Sequence, residues 1–362
     1  MTVRLGRMET SSLDQVRAAE FASGGATAYL ATASCGLLPR RAVEAVTALA
    51  EQNATGSRGG AGSFDAVDRA RAGFARIAGV DPGRVATGGS VAVHVALVAA
   101  SLPAGAEVLA PEGEFSSVVS PFAVRGDLRT RYVPLAGLAE AVRPETALVA
   151  LSAAQSSDGR VADLDAVRAA AAAHGARTLL DASQSAGWLP LDAGAYDYTV
   201  TGAFKFLMCP RGTSFLTVTE EAQETLPVLY AGWLSAEDRW NSNYGPVRRL
   251  AAGARRYDEP VAFLAYHGAE HSLDLVAEAG VDALYEHATG LAARFREGLG
   301  ALGHPAVPGT SAIVAVPGLG AREPELADAG VLVSNRAGNL RAAFHLYNTE
   351  ADVDRALEVL AR

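Results

Sequence analysis

From about residue 70 to 220 the sequence alternates between short apolar runs and alanine-rich stretches. "AEVLAPE" (106–112), "ALVALS" (147–152), "RTLLDAS" (177–183), "YDYTVTG" (196–202) and "TSFLTV" (213–218) read as strands. "LDAVRAAAAAHG" (164–175) reads as a helix that stops at Gly175. Strands alternating with helices predict an α/β fold with a largely parallel sheet covered on both faces. The pattern changes from about residue 265. Leu284, Ala288, Leu291, Phe295 and Leu299 recur at helical spacing. "SAIVAVPG", "GVLVSNR" and "NLRAAFHLYN" then read as strands. A last helix opens at Thr349, with Asp352 three residues on in the pattern of a capping box, and buries Val353, Leu357 and Leu360. The expected division is an N-terminal segment at 1–25, a large domain at 26–262 and a small C-terminal α/β domain at 263–362. No Pro/Ser linker separates the two domains, so they are expected to pack closely.

Composition narrows the partners. A net charge of −9 and a pI of about 5.3 argue against nucleic acid and anionic membranes, which want a basic face. The best apolar run, at 90–102, is shorter than the roughly 18 residues that suggest a bilayer span, and it contains His94. "MTVRLGRMETSS" lacks the apolar core of a signal peptide. Two cysteines, Cys35 and Cys209, make no disulfide framework, so a cytoplasmic location is expected. "HGAEH" sets His267 and His271 four apart, but its glutamate is not where a zinc protease has it; no metal is expected. "GSRGGAGSF" (56–64) lacks the Gly-Lys-Ser/Thr ending of a nucleotide cradle.

One basic residue stands apart. Of 31 basic residues, Lys205 in "VTGAFKFLMCPRG" is the only lysine, and it lies between two phenylalanines. Arginine stays protonated at any cellular pH, whereas a desolvated lysine loses its proton and serves as a nucleophile or base. A lysine kept for solubility would not be placed here, although its stem packing between Phe204 and Phe206 is the plain structural reading.

The predicted strand ends gather other polar groups. Asp181 closes "RTLLD" and Gln184 follows it; Ser152 and Gln155 follow "ALVALS". Ligands of open parallel sheets bind outside the carboxyl ends of strands. In "RVATGGSVAVHVALVAASL" a strand runs into Thr87-Gly88-Gly89-Ser90 and a helix begins, so Ser90 and the Val91 amide are placed to hold a phosphate. An amine, a buried carboxylate and an anion site are the three needs of pyridoxal 5′-phosphate: Schiff base, ring-nitrogen partner and phosphate cradle.

On these residues the chain resembles the class V aminotransferases. The stretch "LLDASQSAGWLPLDAGAYDYTVTGAFKFLMCPRGTSFL" has the family's Asp, a Gln three residues later and the lysine some twenty residues on. "AYLATASCGLLP" (28–39) and "LRAAFHLYNTEADVDRAL" are similar to the family's opening and closing segments. The resemblance implies a fold-type I enzyme, with a mostly parallel seven-stranded sheet in the large domain and a homodimer with sites at the subunit interface. It further implies that Lys205 binds the cofactor and carries the Cα proton, Asp181 meets the ring nitrogen and Gln184 meets the ring oxygen. Ser90 and Val91, helped by Thr201, hold the phosphate; Phe115 stacks on the ring; Arg341 clamps the substrate carboxylate. Each has a plainer alternative: strand or helix cap for Asp181 and Ser90, turn for Gln184, core for Phe115, ion pair for Arg341.

Departures from the family shape the expected activity. Phe115 stands where desulfurases have histidine, and residues 305–340 lack the cysteine that accepts sulfur in those enzymes. "RRYDEPVAF" has Pro260 and Val261 where many members have Gly-Thr, and Ala92 replaces an acid. With Phe115 offering no second acid–base group, Lys205 is the expected proton carrier. The leading expectation is a C–S lyase that eliminates a thiol from a cysteine S-conjugate. Transamination and decarboxylation-coupled deamination stay open, with epimerisation or a catalytically inactive binding protein ranked below. Trp233, Tyr244, Arg255 and Tyr257 are candidates for tuning the pocket.

Overall fold

The computed structural model describes residues 10–21, 27–260 and 262–362. Val261, and much of the expected N-terminal segment, lie outside the described residues. The strands are β1 (Ala28–Tyr29), β2 (Val85–Gly88), β3 (Glu107–Pro111), β4 (Arg129–Val133), β5 (Thr146–Ser152), β6 (Arg177–Asp181), β7 (Tyr198–Gly202), β8 (Ser214–Val218), β9 (Ile313–Val316), β10 (Val331–Leu332), β11 (Ser334–Arg336) and β12 (Asn339–Ala343).

The large sheet has seven strands in the order β2–β8–β7–β6–β5–β3–β4. Strands β3 to β7 run parallel, and β8 is antiparallel to both its neighbours. The expected α/β fold of type I, with a mostly parallel seven-stranded sheet, is the fold observed. Continuous apolar runs such as "TALVALS" and "RTLLD" are buried because helices cover both faces. On one face, helix Val91–Ser101 packs its Val95, Leu97 and Val98 against Ala86, Leu148 and Val200. On the other, helix Phe64–Ala78 brings Phe74 onto Phe215, with ring centroids 4.3 Å apart and planes nearly parallel. Helix Leu164–His174 ends as read: Asp163 caps its start and Gly175 turns left-handed, φ 68°, at its end.

Two elements differ from the sequence reading. Strand β4, "RTRYV", went unread because its arginines break the apolar pattern; it is an edge strand, and Arg131 reaches back to Glu107 on β3. "GVLVSNR" is not one strand. It breaks at Val333, so that β10 pairs in parallel with β1 while β11 pairs antiparallel with β12. A three-stranded sheet β11–β12–β9 results, packed against helix Val281–Ala301 and the final helix Glu350–Leu360. Helix Phe263–Ala279 shares a core with Val85 and Phe215 of the large sheet, through Tyr266 and Leu273.

Candidate active site

The carboxyl ends of β2, β3, β5, β6 and β7 point to one edge of the large sheet, since β2 and β7 both oppose β8. The loops leaving that edge carry Gly88–Ser90, Glu114–Phe115, Ser152–Ser156, Asp181–Gln184 and Thr201–Lys205. Strand direction alone therefore brings the predicted residues of the large sheet to one place, and Arg341 joins them from β12 through Ser156.

Lys205 lies on the turn after β7 and is 7% exposed. Its Nζ stands 5.1 Å from the centre of the Phe115 ring and 5.8 Å from that of Phe204. The loop before helix Arg40–Ala54 presses against this turn. The Gly36 amide donates to Phe204 O at 2.9 Å, and a Cβ at Gly36 would lie 2.0 Å from Lys205 O, so only glycine fits. Burial pulls the Lys205 amine down to about 8; the Asp181 carboxylate opposes this, and the guanidiniums of Arg341, Arg211 and Arg336 reinforce it. Asp181, at the end of β6, accepts from Ser183 N (2.8 Å) and Ser183 Oγ (2.5 Å). The Ser183 hydroxyl in turn accepts from Gly202 N at 2.7 Å, which ties the β6 and β7 loops together. Burial raises the Asp181 pKa, while Lys205 and the two Ser183 bonds act against that rise.

The helix start is held from behind. Ser90 caps it, its Oγ accepting from Val93 N at 3.4 Å. A Cβ on Gly202 would lie 3.5 Å from the Val91 side chain and 3.3 Å from Ser183 Oγ, so the helix start abuts the Asp181 loop. Thr87 N donates to Asp258 (2.9 Å), whose carboxylate forms a buried two-pronged pair with Arg71 (3.0 and 2.8 Å). Gly88 N donates to Tyr266 OH at 2.9 Å. The Gly89 amide donates to Glu259 Oε2 at 3.2 Å, and burial raises the Glu259 pKa. Glu259 Oε1, Thr87 Oγ1 and Thr201 Oγ1 are buried without partners.

Gln184 donates through Nε2 to Ala33 O (2.9 Å) and Ser156 Oγ (3.0 Å), leaving Oε1 buried and unpartnered. Phe115 begins helix Ser116–Val124 and is 42% exposed, so the core reading of this residue fails. Beside it, the Glu114 carboxylate accepts four hydrogen bonds, from Phe115 N, Ser152 N, Ser152 Oγ and Gln155 Nε2, at 2.6–3.0 Å. Arg341 on β12 is 1% exposed. It donates to Ser156 O, Ser156 Oγ (3.1 Å) and Ser34 Oγ (2.7 Å). No carboxylate among the described residues pairs with it, Nε has no partner, and burial lowers its pKa to about 10. The surface ion-pair reading of Arg341 therefore fails.

Lys205, Asp181, Gln184, Ser90, Val91, Thr201, Phe115 and Arg341 thus line one edge. Tyr257 does not: it is core, with its hydroxyl on Gln223 O and Leu226 O. Arg255 holds the carbonyls of Leu234 and Glu237, Trp233 packs on Phe64, and Tyr244 is 96% exposed. None of these four touches Lys205 in this chain, because the 230–257 segment folds over the side of the large sheet. Sequence reading missed Glu114, Ser183, Ser34, Ser156, Asp258 and Glu259. Only Ser183 and Glu114 carried a signal, as direct neighbours of Gln184 and Phe115. Among the described residues no cluster of His, Cys, Asp and Glu has a metal-site arrangement; His267 accepts from Ser63 N at 3.0 Å.

A desolvated amine near a buried carboxylate, a helix start with open amides, and unpartnered Thr201 Oγ1 and Gln184 Oε1 fit pyridoxal 5′-phosphate. Fold and site define a fold-type I pyridoxal-phosphate enzyme. The family described as "Aminotransferase class-V" matches residues 28–356, and the chain belongs to it; pyridoxal 5′-phosphate is its cofactor. It is 26% identical to an uncharacterized aminotransferase, YcbU, of Bacillus subtilis, over 83% of this chain and 84% of that protein. It is 28% identical to the isopenicillin N epimerase of Amycolatopsis lactamdurans (92% and 94% covered), and 27% to the kynureninase of Deinococcus radiodurans (82% and 78%). The fold is similar to that of the cystine C–S lyase C-DES in complex with cysteine persulfide, with a TM-score of 0.82 at 24% identity, over 92% of this chain and 97% of that one.

Proposed function

We propose that this class V enzyme, which acts on amino-acid substrates, cleaves a carbon–sulfur bond. A cysteine S-conjugate would lose its thiol by β-elimination, and water would complete the release of pyruvate and ammonia. The carrying observation is the pairing of Lys205 with Phe115: a buried amine facing a ring that has no proton to give. Bound pyridoxal phosphate supplies the electron sink for the Cα–H bond pair. Lys205 Nζ takes the Cα proton and is placed to return it to the leaving sulfur. Arg341 holds the α-carboxylate, and Asp181 meets the ring nitrogen. Ser90, Val91 and Thr201 take the phosphate, and Gln184 takes the ring oxygen. Phe115 covers the ring face.

Transamination is the second reading, favoured by the similarity to the Bacillus aminotransferase. The test is a visible spectrum of the holoenzyme with L-cysteine and with an S-alkyl cysteine, with thiol and pyruvate assayed alongside. Release of both in equal amounts supports the lyase. A spectral change without thiol, with a keto acid formed only when an amino acceptor is added, moves the assignment to transamination. Lys205→Ala should abolish turnover by more than about a thousandfold; residual activity near wild type would refute its role.

We also propose a homodimer in the cytoplasm. Phe115, Trp240 and Tyr244 are exposed aromatics that a second copy would cover, and Cys35 and Cys209 are both free thiols. Light scattering on a sizing column tests the dimer. No described helix is long and apolar enough to cross a membrane.

A further inference from the structure

The hairpin β11–β12 carries a second cation to the site. Ser334 pairs with Arg341 and Arg336 with Asn339 across the hairpin. Alternate strand residues share a face, so Ser334, Arg336 and Arg341 point the same way. One atom meets all three. Ser34 Oγ lies 2.8 Å from Ser334 Oγ, 2.7 Å from Arg341 Nη2 and 3.0 Å from Arg336 Nη2. The turn fixes Arg336 closely, since Ala337 (φ 51°) and Gly338 (φ 81°) both take left-handed conformations, the geometry of a two-residue hairpin.

Two guanidiniums at hydrogen-bond distance from one hydroxyl repel each other, and burial of Arg341 strengthens the repulsion. Proteins normally place a carboxylate between such groups. Here none of the described acids pairs with Arg336 or Arg341, although the chain has 40 acidic residues against 31 basic ones. Arg211, stacked on Phe204 at 4.5 Å, adds a third cation near Lys205. A single α-carboxylate answers only one of these charges.

We infer that the substrate carries a second anionic group on a short side chain and that Arg336 receives it while Arg341 holds the α-carboxylate. This rests on the assignment of Arg341 to the α-carboxylate, not on the reaction that follows. The substrate class is therefore a dianionic amino acid, such as a cysteine S-conjugate ending in a carboxylate. Ser34 spaces the two guanidiniums, and the exposed Arg336 leaves the side-chain end of the substrate at the site mouth.

The test uses an isosteric pair, S-carboxymethyl-L-cysteine and S-carbamoylmethyl-L-cysteine, titrated into the holoenzyme and read by the shift of the cofactor's visible band. The wild-type protein should bind the carboxylate at least about tenfold more tightly than the amide. In Arg336→Gln the two affinities should come within about twofold, and the wild-type preference should shrink as salt is added. Equal wild-type affinities would overturn the inference and mean that both arginines share one carboxylate. A preference undiminished in Arg336→Gln would overturn it as well. Thiol release is assayed separately: its absence from both conjugates removes the lyase reading and leaves the affinity ratio as an independent result.

Discussion

At the scale of single residues, Lys205 was legible because composition isolated it. What sequence could not give was the poise of its amine, which depends on burial, on Asp181 and on three arginines, two of them, Arg336 and Arg341, distant in sequence. The amine attacks an aldehyde only when neutral, and its neutral fraction grows as pH rises through its pKa. In protein stripped of cofactor, the rate of recombination with pyridoxal phosphate should therefore climb with pH about a midpoint near 8, the value to which burial lowers this lysine. Stopped-flow absorbance over the alkaline range reads this directly, and a rate still rising tenfold per pH unit past 9.5 would contradict it. Arg341 was legible by resemblance alone, since nothing local shows that it is buried without a carboxylate. Arg341→Lys keeps a charge but loses the fork, and should raise KM by about tenfold or more with a smaller effect on kcat. Glu259 was not legible at all. Its carboxylate sits on Gly89 N, at the turn assigned to an anion. If it repels the phosphate, Glu259→Gln should tighten cofactor binding several-fold, measured as the dissociation constant by absorbance titration; weaker binding would make Glu259 a prop of the turn instead.

At the scale of elements, helices and central strands declared themselves, and edges did not. The "RTLLD" strand is buried on both faces and reads as an apolar run, while "RTRYV" at the edge is masked by two arginines, Arg131 bonded to Glu107 and Arg129 to Gly105 O. The same blindness hid the support of the turn proposed to hold the phosphate. Asp258 stands 171 residues from Thr87, and no local pattern links them. Yet Asp258 takes the Thr87 amide and both prongs of Arg71, all in the dry interior. Removing one partner of such a pair strands a buried charge, at a cost of about 3–5 kcal/mol. Asp258→Ala should lower stability by that order in urea unfolding and loosen β2 where it enters the turn, weakening cofactor affinity too. The double replacement Arg71→Met with Asp258→Ala should recover part of the stability but not the affinity, because the Thr87 amide still lacks its acceptor. Equal recovery of both would show that Asp258 acts on the turn only through Arg71.

At the scale of the whole molecule, strand–helix alternation was enough to name the layers, the count of seven strands followed from family likeness, and the order of strands was not legible. Two buried histidines were not legible, because sequence treats them as ordinary; one of them joins the surroundings of the two sheets. His345, after β12, bonds through Nε2 to Phe206 O beside Lys205 at 2.7 Å; His94 bonds to Ser214 Oγ at 3.0 Å under the phosphate turn. Both are fully buried with Nδ1 unpartnered, and burial pushes both down to about 4. In the unfolded chain each titrates near 6.5. Between those values the unfolded chain binds more protons than the native one, so stability rises with pH across the window and is lost as pH falls from about 6.5 towards 4. Each histidine contributes on the order of 3 kcal/mol at full effect. Asp181 and Glu259 oppose the trend only at the acid end, since their raised values make the native state the better proton binder there. The melting temperature should therefore fall steadily from pH 7 to pH 5. In His345→Gln, where a neutral amide replaces the imidazole on Phe206 O, the slope should drop without vanishing, since burial also lowers His94, His287 and His267. A melting temperature flat across that range in the wild-type protein would mean that these rings stay solvated enough to protonate in place, and that the seam between the two sheets is looser than its packing implies.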